Sequence, residues 1–150
     1  MQRAEVPESW NELTSRIIAA AMEVHSRLGP GQLEKIYERA MVIELKHRGL
    51  NPAQQVAVRV SYRGESLGEL VLDLVVSDLV VVELKAVVAV ADVHLAQLTS
   101  YLRLGDYPLG LLINFNCALL KDSISRRINS RSTRFSSAPS AQPSASSAFS

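Results

Sequence analysis

Apolar side chains recur at helical spacing from early in the chain: Leu13, Ile17, Ala20, Ala21, Val24 and Leu28 share a face until Gly29-Pro30-Gly31 interrupts them. Ser9 followed by Glu12 is a capping-box pattern, so a first helix is expected to begin there. A second helix is expected from about Leu33 to Arg48. Ile36, Ala40, Ile43 and His47 form one of its stripes, and another face carries Glu34, Tyr37, Met41 and Glu44. Gly49 stands where a left-handed C-terminal cap belongs.

From Gln55 the period shortens to that of a strand. Val56, Val58, Val60 and Tyr62 alternate with Ala57, Arg59 and Ser61, and Arg63-Gly64 supplies turn chemistry, which predicts a hairpin. Two strands follow, over Leu67 to Val76 and Leu79 to Ala86. The second is almost continuous in Val and Leu, as a central strand buried on both faces would be. A helix from Asp92 to Leu104, ended by Gly105 and Pro108, and a fourth apolar strand from Leu109 to Phe115 complete the order α, α, β, β, β, α, β. Periodicity leaves the run from Leu119 to Ile128 open between a short helix and a strand.

The 150 residues and an apolar share of 47% predict a single domain over residues 1–129. Residues 130–150, rich in Ser, Ala and Pro, are expected to form a disordered tail. A net charge of +1 excludes an overall basic protein, so any nucleic-acid surface must be local. The candidate cluster is Lys121, Arg126, Arg127, Arg131 and Arg134, with a solvated basic tail as the alternative. The single Cys117, beside Ile113, Phe115 and Leu119, is expected to be a buried, reduced thiol. Met1 to Pro7 does not read as a secretory signal, and no apolar run approaches the roughly 18 residues of a membrane span. No membrane association is expected, and cytoplasm is the default location.

Charges are seldom tolerated inside strands of Val and Leu, which makes Asp73 in VLDLVV and Glu83 and Lys85 in VVVELKA conspicuous. Glu83 and Lys85, two apart, point the same way. Asp73 joins them only if Ser77, Asp78 and Leu79 form a three-residue loop, which pairs Val76 with Val80 and sets Asp73 opposite Glu83. Two carboxylates so placed suit a shared Mg²⁺, with the Lys85 ammonium alongside. The structural alternative is a charge ladder on a solvated sheet face.

The motifs GQLEKIY (residues 31–37), Asp73, VELKA (82–86), Val93-His94, Ala96-Gln97-Leu98, Tyr101-Leu102 and LLINFN (111–116) together resemble the bacterial GxxExxY family of the PD-(D/E)xK nuclease superfamily, over about residues 14–128. The resemblance implies an α/β, restriction-endonuclease-like fold: a three-layer domain with a small mixed β-sheet flanked by helices. It implies Asp73, Glu83, the Leu84 carbonyl and Glu34 as metal ligands for Mg²⁺ or Mn²⁺, and Lys85 as the residue that positions the attacking water. Gln97 and Tyr101 match a Q-x-x-x-Y pattern and share a helical face, with His94 one turn earlier. Tyr37 and Tyr101 filling the core rim, Gln97 capping a backbone group and His94 as a structural histidine are the competing roles.

Three positions depart from the family pattern: Leu70-Val71 stands where Tyr-Arg is expected, Leu95 where Glu follows the His, and Asp122-Ser123 in place of an Asp-Gly turn. The expected function is metal-dependent hydrolysis of phosphodiester bonds in nucleic acid, DNA favoured over RNA, with homodimer formation left open. The alternative is a noncatalytic nucleic-acid or protein interaction module that retains the nuclease fold.

Overall fold

The computed structural model describes residues 5–137. The first helix, α1 (Glu8–Leu28), starts one residue before the expected cap. Pro7 precedes it, and the Pro7 carbonyl accepts the N–H groups of Trp10 and Asn11 at 3.0 and 3.2 Å. Ser9 therefore lies inside the first turn, and the Ser9/Glu12 capping box does not form. Trp10, Ile17, Ala20, Ala21 and Val24 bury one face.

Helix α2 (Glu34–His47) ends as expected. Gly49 adopts φ 79° and its N–H reaches the Lys46 carbonyl at 2.9 Å, while the Leu50 N–H reaches Leu45 at 2.9 Å, a Schellman ending. The buried face is Tyr37, Met41 and Leu45, whereas Ile36 and Ile43 are 43% and 64% exposed. Periodicity marks two candidate stripes on this helix, and aromatic stacking helps to select one. Tyr37 lies over Phe115 with centroids 4.4 Å apart and planes at 9°. Its hydroxyl donates to the Gly29 carbonyl at 2.5 Å and accepts the Gln32 N–H at 3.1 Å, tying down the α1–α2 connection.

Strands β1 (Pro52–Tyr62) and β2 (Glu65–Val76) form the expected hairpin, longer than predicted at its start. Arg63 and Gly64 both have positive φ, as a two-residue type I′ turn requires. Strand β3 (Val80–Lys85) follows the three-residue loop Ser77-Asp78-Leu79 with Val76 opposite Val80. Helix α3 (Asp92–Gly105) then crosses to β4 (Leu109–Asn114), which pairs parallel with β3. The undecided run after Leu119 resolves into a single 3-10 turn, Leu120–Ser123, and an antiparallel strand, β5 (Ile124–Ile128).

The five strands lie in sequence order with β3 in the middle. Side chains of alternate residues build two cores. Val80, Val82, Leu84, Leu109, Leu111 and Ile113 pack under α1 and α2, while Val75, Val81 and Leu112 pack under α3 with Leu98 and Leu102. The result is the three-layer α/β/α arrangement. Gly110 lets α3 approach closely, because a Cβ there would stand 2.8 Å from Leu98 Cδ1 and 3.0 Å from Leu102 Cδ2.

The tail expected from residue 130 begins inside ordered structure. Ser132 is buried, Phe135 packs on Trp10 with centroids 5.1 Å apart, and Arg134 reaches the Asp78 carbonyl at 2.7 Å. A four-residue helix, α4 (Arg134–Ser137), ends the described chain. Residues 138–150 of the expected tail lie outside the described residues. Cys117 is half-buried rather than buried, with its thiol donating to the Asn114 carbonyl at 3.3 Å.

Candidate active site

The β2–β3 ladder pairs Val76 with Val80, Val75 with Val81 and Leu74 with Val82, and the regular pairs end there. At the next step side chains take over. The Asp73 N–H donates to Glu83 Oε2 at 2.8 Å, and the Leu84 N–H donates to Asp73 Oδ2 at 2.9 Å. Two carboxylates thus occupy the slot between the strands and satisfy the backbone donors that a continued ladder would have used.

On the other side of Asp73, β1 pairs Gln54 with Leu74 and Val56 with Leu72, skipping Gln55, which sits at φ 50°. In a regular strand neighbouring side chains face opposite sides. The left-handed Gln55 breaks that rule, and the amides of both Gln54 and Gln55 donate to the Glu38 carboxylate, at 3.0 and 2.9 Å. Glu38 is thereby clamped on α2 beside the slot.

The electrostatics of the slot are those of crowded acids. Glu83, 6% exposed, is pushed up from 4.5 to about 8, first by burial and then by the charge of Asp73. The Asp73 N–H and the Lys85 ammonium oppose that rise, and Glu38 adds to it. Burial raises Asp73 as well, with the Leu84 N–H and Lys85 pulling it down and Glu38 and Glu34 pushing it up. The Tyr101 hydroxyl is raised by burial and then by the charges of Glu83 and Asp73, which brings α3 to the same site from the other layer.

Asp73, Glu83, Lys85 and Tyr101 therefore come together. Leu84 turns its side chain into the core under α1 and α2. Glu34 is exposed in the first turn of α2, near enough to act on Asp73 through its charge. Gln97 is exposed one turn before Tyr101 on α3. His94 is a structural histidine: its Nδ1 accepts the Ala91 N–H at 3.0 Å and caps its own helix.

The basic residues do not form one patch. Arg126 turns to α1 and donates to Asn11 Oδ1 at 2.7 Å, while Arg127, the next residue on β5, lines a groove beside α3. Lys121 is exposed on the 3-10 turn.

Two further residues shape the site. Glu38 carried a sequence signal, since Glu34 and Glu38 are one turn apart on one helical face. Asn114, 4% exposed, holds the chain that leaves β3: its amide donates to the Val87 carbonyl at 2.9 Å and accepts the Val87 N–H at 3.0 Å. Asn114 falls within the expected fourth strand and the LLINFN run, but its grip on Val87 has no signal in the local pattern.

The donor set suits a hard divalent cation, being carboxylate oxygen without thiolate or imidazole. Among the described residues Asp73 Oδ1 and Glu83 Oε1 enter no hydrogen bond and no side-chain oxygen is buried without a partner, so both remain reachable. Among the described residues no three His, Cys, Asp or Glu side chains converge as a metal-holding group. The oxygen donors brought together in the slot are thus the two carboxylates, and Glu34 is not grouped with them as a third among the described residues.

Searches of curated proteins and of solved structures return no match. A family model does match, over residues 11–127, a span that begins in α1, ends in β5 and contains every residue of the slot. With the mixed five-stranded sheet between helices already established, this chain belongs to the PD-(D/E)XK nuclease superfamily.

Proposed function

We propose that the protein is a nuclease that hydrolyses phosphodiester bonds with Mg²⁺ or Mn²⁺, and that it belongs to the GxxExxY group within the superfamily. The observation that carries the reading is the pair of carboxylates, Asp73 and Glu83, in the slot between β2 and β3 with Lys85 two residues on. Burying two like charges together is costly unless a cation joins them.

Asp73 and Glu83 would hold the ion, with the Leu84 carbonyl and water as further ligands and Glu34 acting through water. A divalent cation there supplies neutralisation of the phosphodiester charge and acidification of water. The Lys85 ammonium orients the attacking water and stabilises charge developing on the phosphate. Tyr101 and Gln97, one turn apart on α3, bound the opposite wall and position the substrate. Glu38, gripped by two glutamines, keeps negative field on the cation side of the slot. Asn114 fixes the chain just beyond Lys85 and so limits the movement of the strand end. DNA is favoured over RNA, in a cytoplasmic setting.

One observation favours a second reading, a noncatalytic nucleic-acid module on the same fold. Val71, 47% exposed on β2, stands where the family resemblance leads to an arginine, so a cation for the phosphate is missing from that position. The test is incubation of the purified protein with single- and double-stranded DNA and with RNA, in Mg²⁺, Mn²⁺ or EDTA. Cleavage that needs the metal and disappears in Asp73→Ala supports the nuclease. Metal-independent binding without cleavage of any substrate supports the module.

A further inference from the structure

A groove of about 360 Å³ lies between the C-terminal half of α3 and the edge strand β5, away from the carboxylate slot. Three guanidinium groups line it, those of Arg103, Arg127 and Arg131, together with Thr99, Ser130 and Asn129, and no acidic residue does. Elsewhere Arg27, Arg48 and Arg134 each meet a carboxylate within 4 Å. The groove arginines form no such ion pair among the described residues. Among the described residues the one side-chain bond any of them makes is from Arg127 Nη1 to the Arg126 carbonyl, at 2.9 Å.

The backbone around the groove is held in place. Asn129 donates from Nδ2 to the Leu102 and Tyr107 carbonyls at 3.1 and 3.2 Å, and its Oδ1 accepts the Arg131 N–H at 3.3 Å. The first of those contacts also satisfies the Leu102 carbonyl in the last turn of α3, which would otherwise face an incoming anion with partial negative charge. The Tyr107 N–H covers Leu102 as well, at 2.9 Å, and the Asp106 N–H covers Arg103.

We propose that this groove binds the phosphodiester backbone of the nucleic-acid substrate, with Arg103, Arg127 and Arg131 as its phosphate contacts. The inference rests on the nucleic-acid reading of the slot and names where the strand runs beyond it. Arg127 pairs with Gly110, which pairs with Val81, two residues before Glu83. Two strand spacings across and two residues along put the groove about 12 Å from the carboxylates, backbone to backbone. That is roughly three to four base steps of a duplex. Arg126 takes no part, being turned to the other face of the sheet.

The test is fluorescence anisotropy with labelled double- and single-stranded DNA in EDTA, which separates binding from cleavage, on the full chain across a series of salt concentrations. The variants are Arg103→Gln, Arg127→Gln, Arg131→Gln and their combination, with Arg63→Gln at the hairpin turn as a charge-matched control and circular dichroism as the check on folding. Each groove substitution should lower the slope of log affinity against log salt by about 1, and the combination by about 3, with the control unchanged. A folded triple variant with parental affinity and slope overturns the proposal, as does equal weakening by Arg63→Gln or a parent that binds neither probe. If the parent binds through these arginines yet cleaves nothing with Mg²⁺ or Mn²⁺, the phosphate groove stands and the nuclease reading falls.

Discussion

Replacing Glu83 by Gln should stabilise the metal-free protein at neutral and alkaline pH, although it removes a residue central to the site. The amide oxygen of Gln can still accept the Asp73 N–H that Glu83 Oε2 accepts at 2.8 Å, so the backbone tie survives. What disappears is a carboxyl that burial and the charge of Asp73 keep from ionising in the fold although the unfolded chain ionises it freely. In the folded protein the Glu83 carboxyl titrates at about 8 against an ordinary 4.5, so between those values the native state binds more protons than the unfolded chain. Stability then falls as pH rises, by up to about 1.4 kcal/mol per pH unit, until the folded group ionises. At pH 7 the accumulated cost is on the order of 3 kcal/mol, and the substitution recovers a large part of it.

Urea unfolding in EDTA at pH 5, 6, 7 and 8 reads this directly. Parent and Glu83→Gln should be close at pH 5 and should separate progressively towards pH 8, the variant being the more stable. Adding Mg²⁺ at pH 7 should then raise the parent and leave the variant nearly unchanged, since a ligand that binds only the native state stabilises in proportion to its occupancy. Parallel pH curves, or a variant less stable than the parent at pH 8, would refute the view that the slot resists a second negative charge.

Lys85→Ala should abolish metal-dependent cleavage while calorimetric Mg²⁺ or Mn²⁺ affinity stays equal or rises slightly, because in the proposed mechanism the ammonium repels the ion but assists the transition state; parental cleavage by this variant would remove Lys85 from the mechanism. Tyr37→Phe should cost about 1–2 kcal/mol in urea unfolding, since it strips the bonds to Gly29 and Gln32 while leaving the stack on Phe115. Phe135→Ala, in a segment whose composition reads as disordered, should cost about 2 kcal/mol, less than a fully buried Phe because the ring is only half-buried against Trp10; an unchanged midpoint would mean that residues 130–137 contribute nothing to the domain.

Much of this architecture is legible because each element carries its own local signal. Strand β3 announces its central place by six consecutive residues of which only Glu83 and Lys85 are charged, and Arg63-Gly64 specifies a tight turn by its conformational demand. Where two readings share one local pattern, the choice is made elsewhere. On α2 both stripes have helical spacing, and Phe115, 78 residues away from Tyr37 along the sequence, helps to decide which is buried. The segment at 131–137 is likewise fixed from outside, by Asp106 accepting from Thr133 and by Asp78 meeting Arg134. Composition alone assigns it to the tail, because its partners lie in other elements.

The slot itself was partly readable, and the limit has a physical origin. A three-residue loop sets the register, and the register brings Asp73 to Glu83, so the pair follows from counting. Counting also implies continued backbone pairing, and there the regular β-sheet rule gives way. Beyond Leu74 and Val82 the carboxylates themselves accept the strand N–H groups, and opposite Asp73 the left-handed Gln55 turns two neighbouring amides to one face. Both departures serve the same end. A regular ladder would spend these N–H groups on carbonyls and send alternate side chains to opposite layers, leaving the acids unsupported. By interrupting the ladder the fold fixes one oxygen of each carboxylate on a backbone N–H and leaves the other free of protein donors among the described residues, which is the arrangement the proposed cation would use.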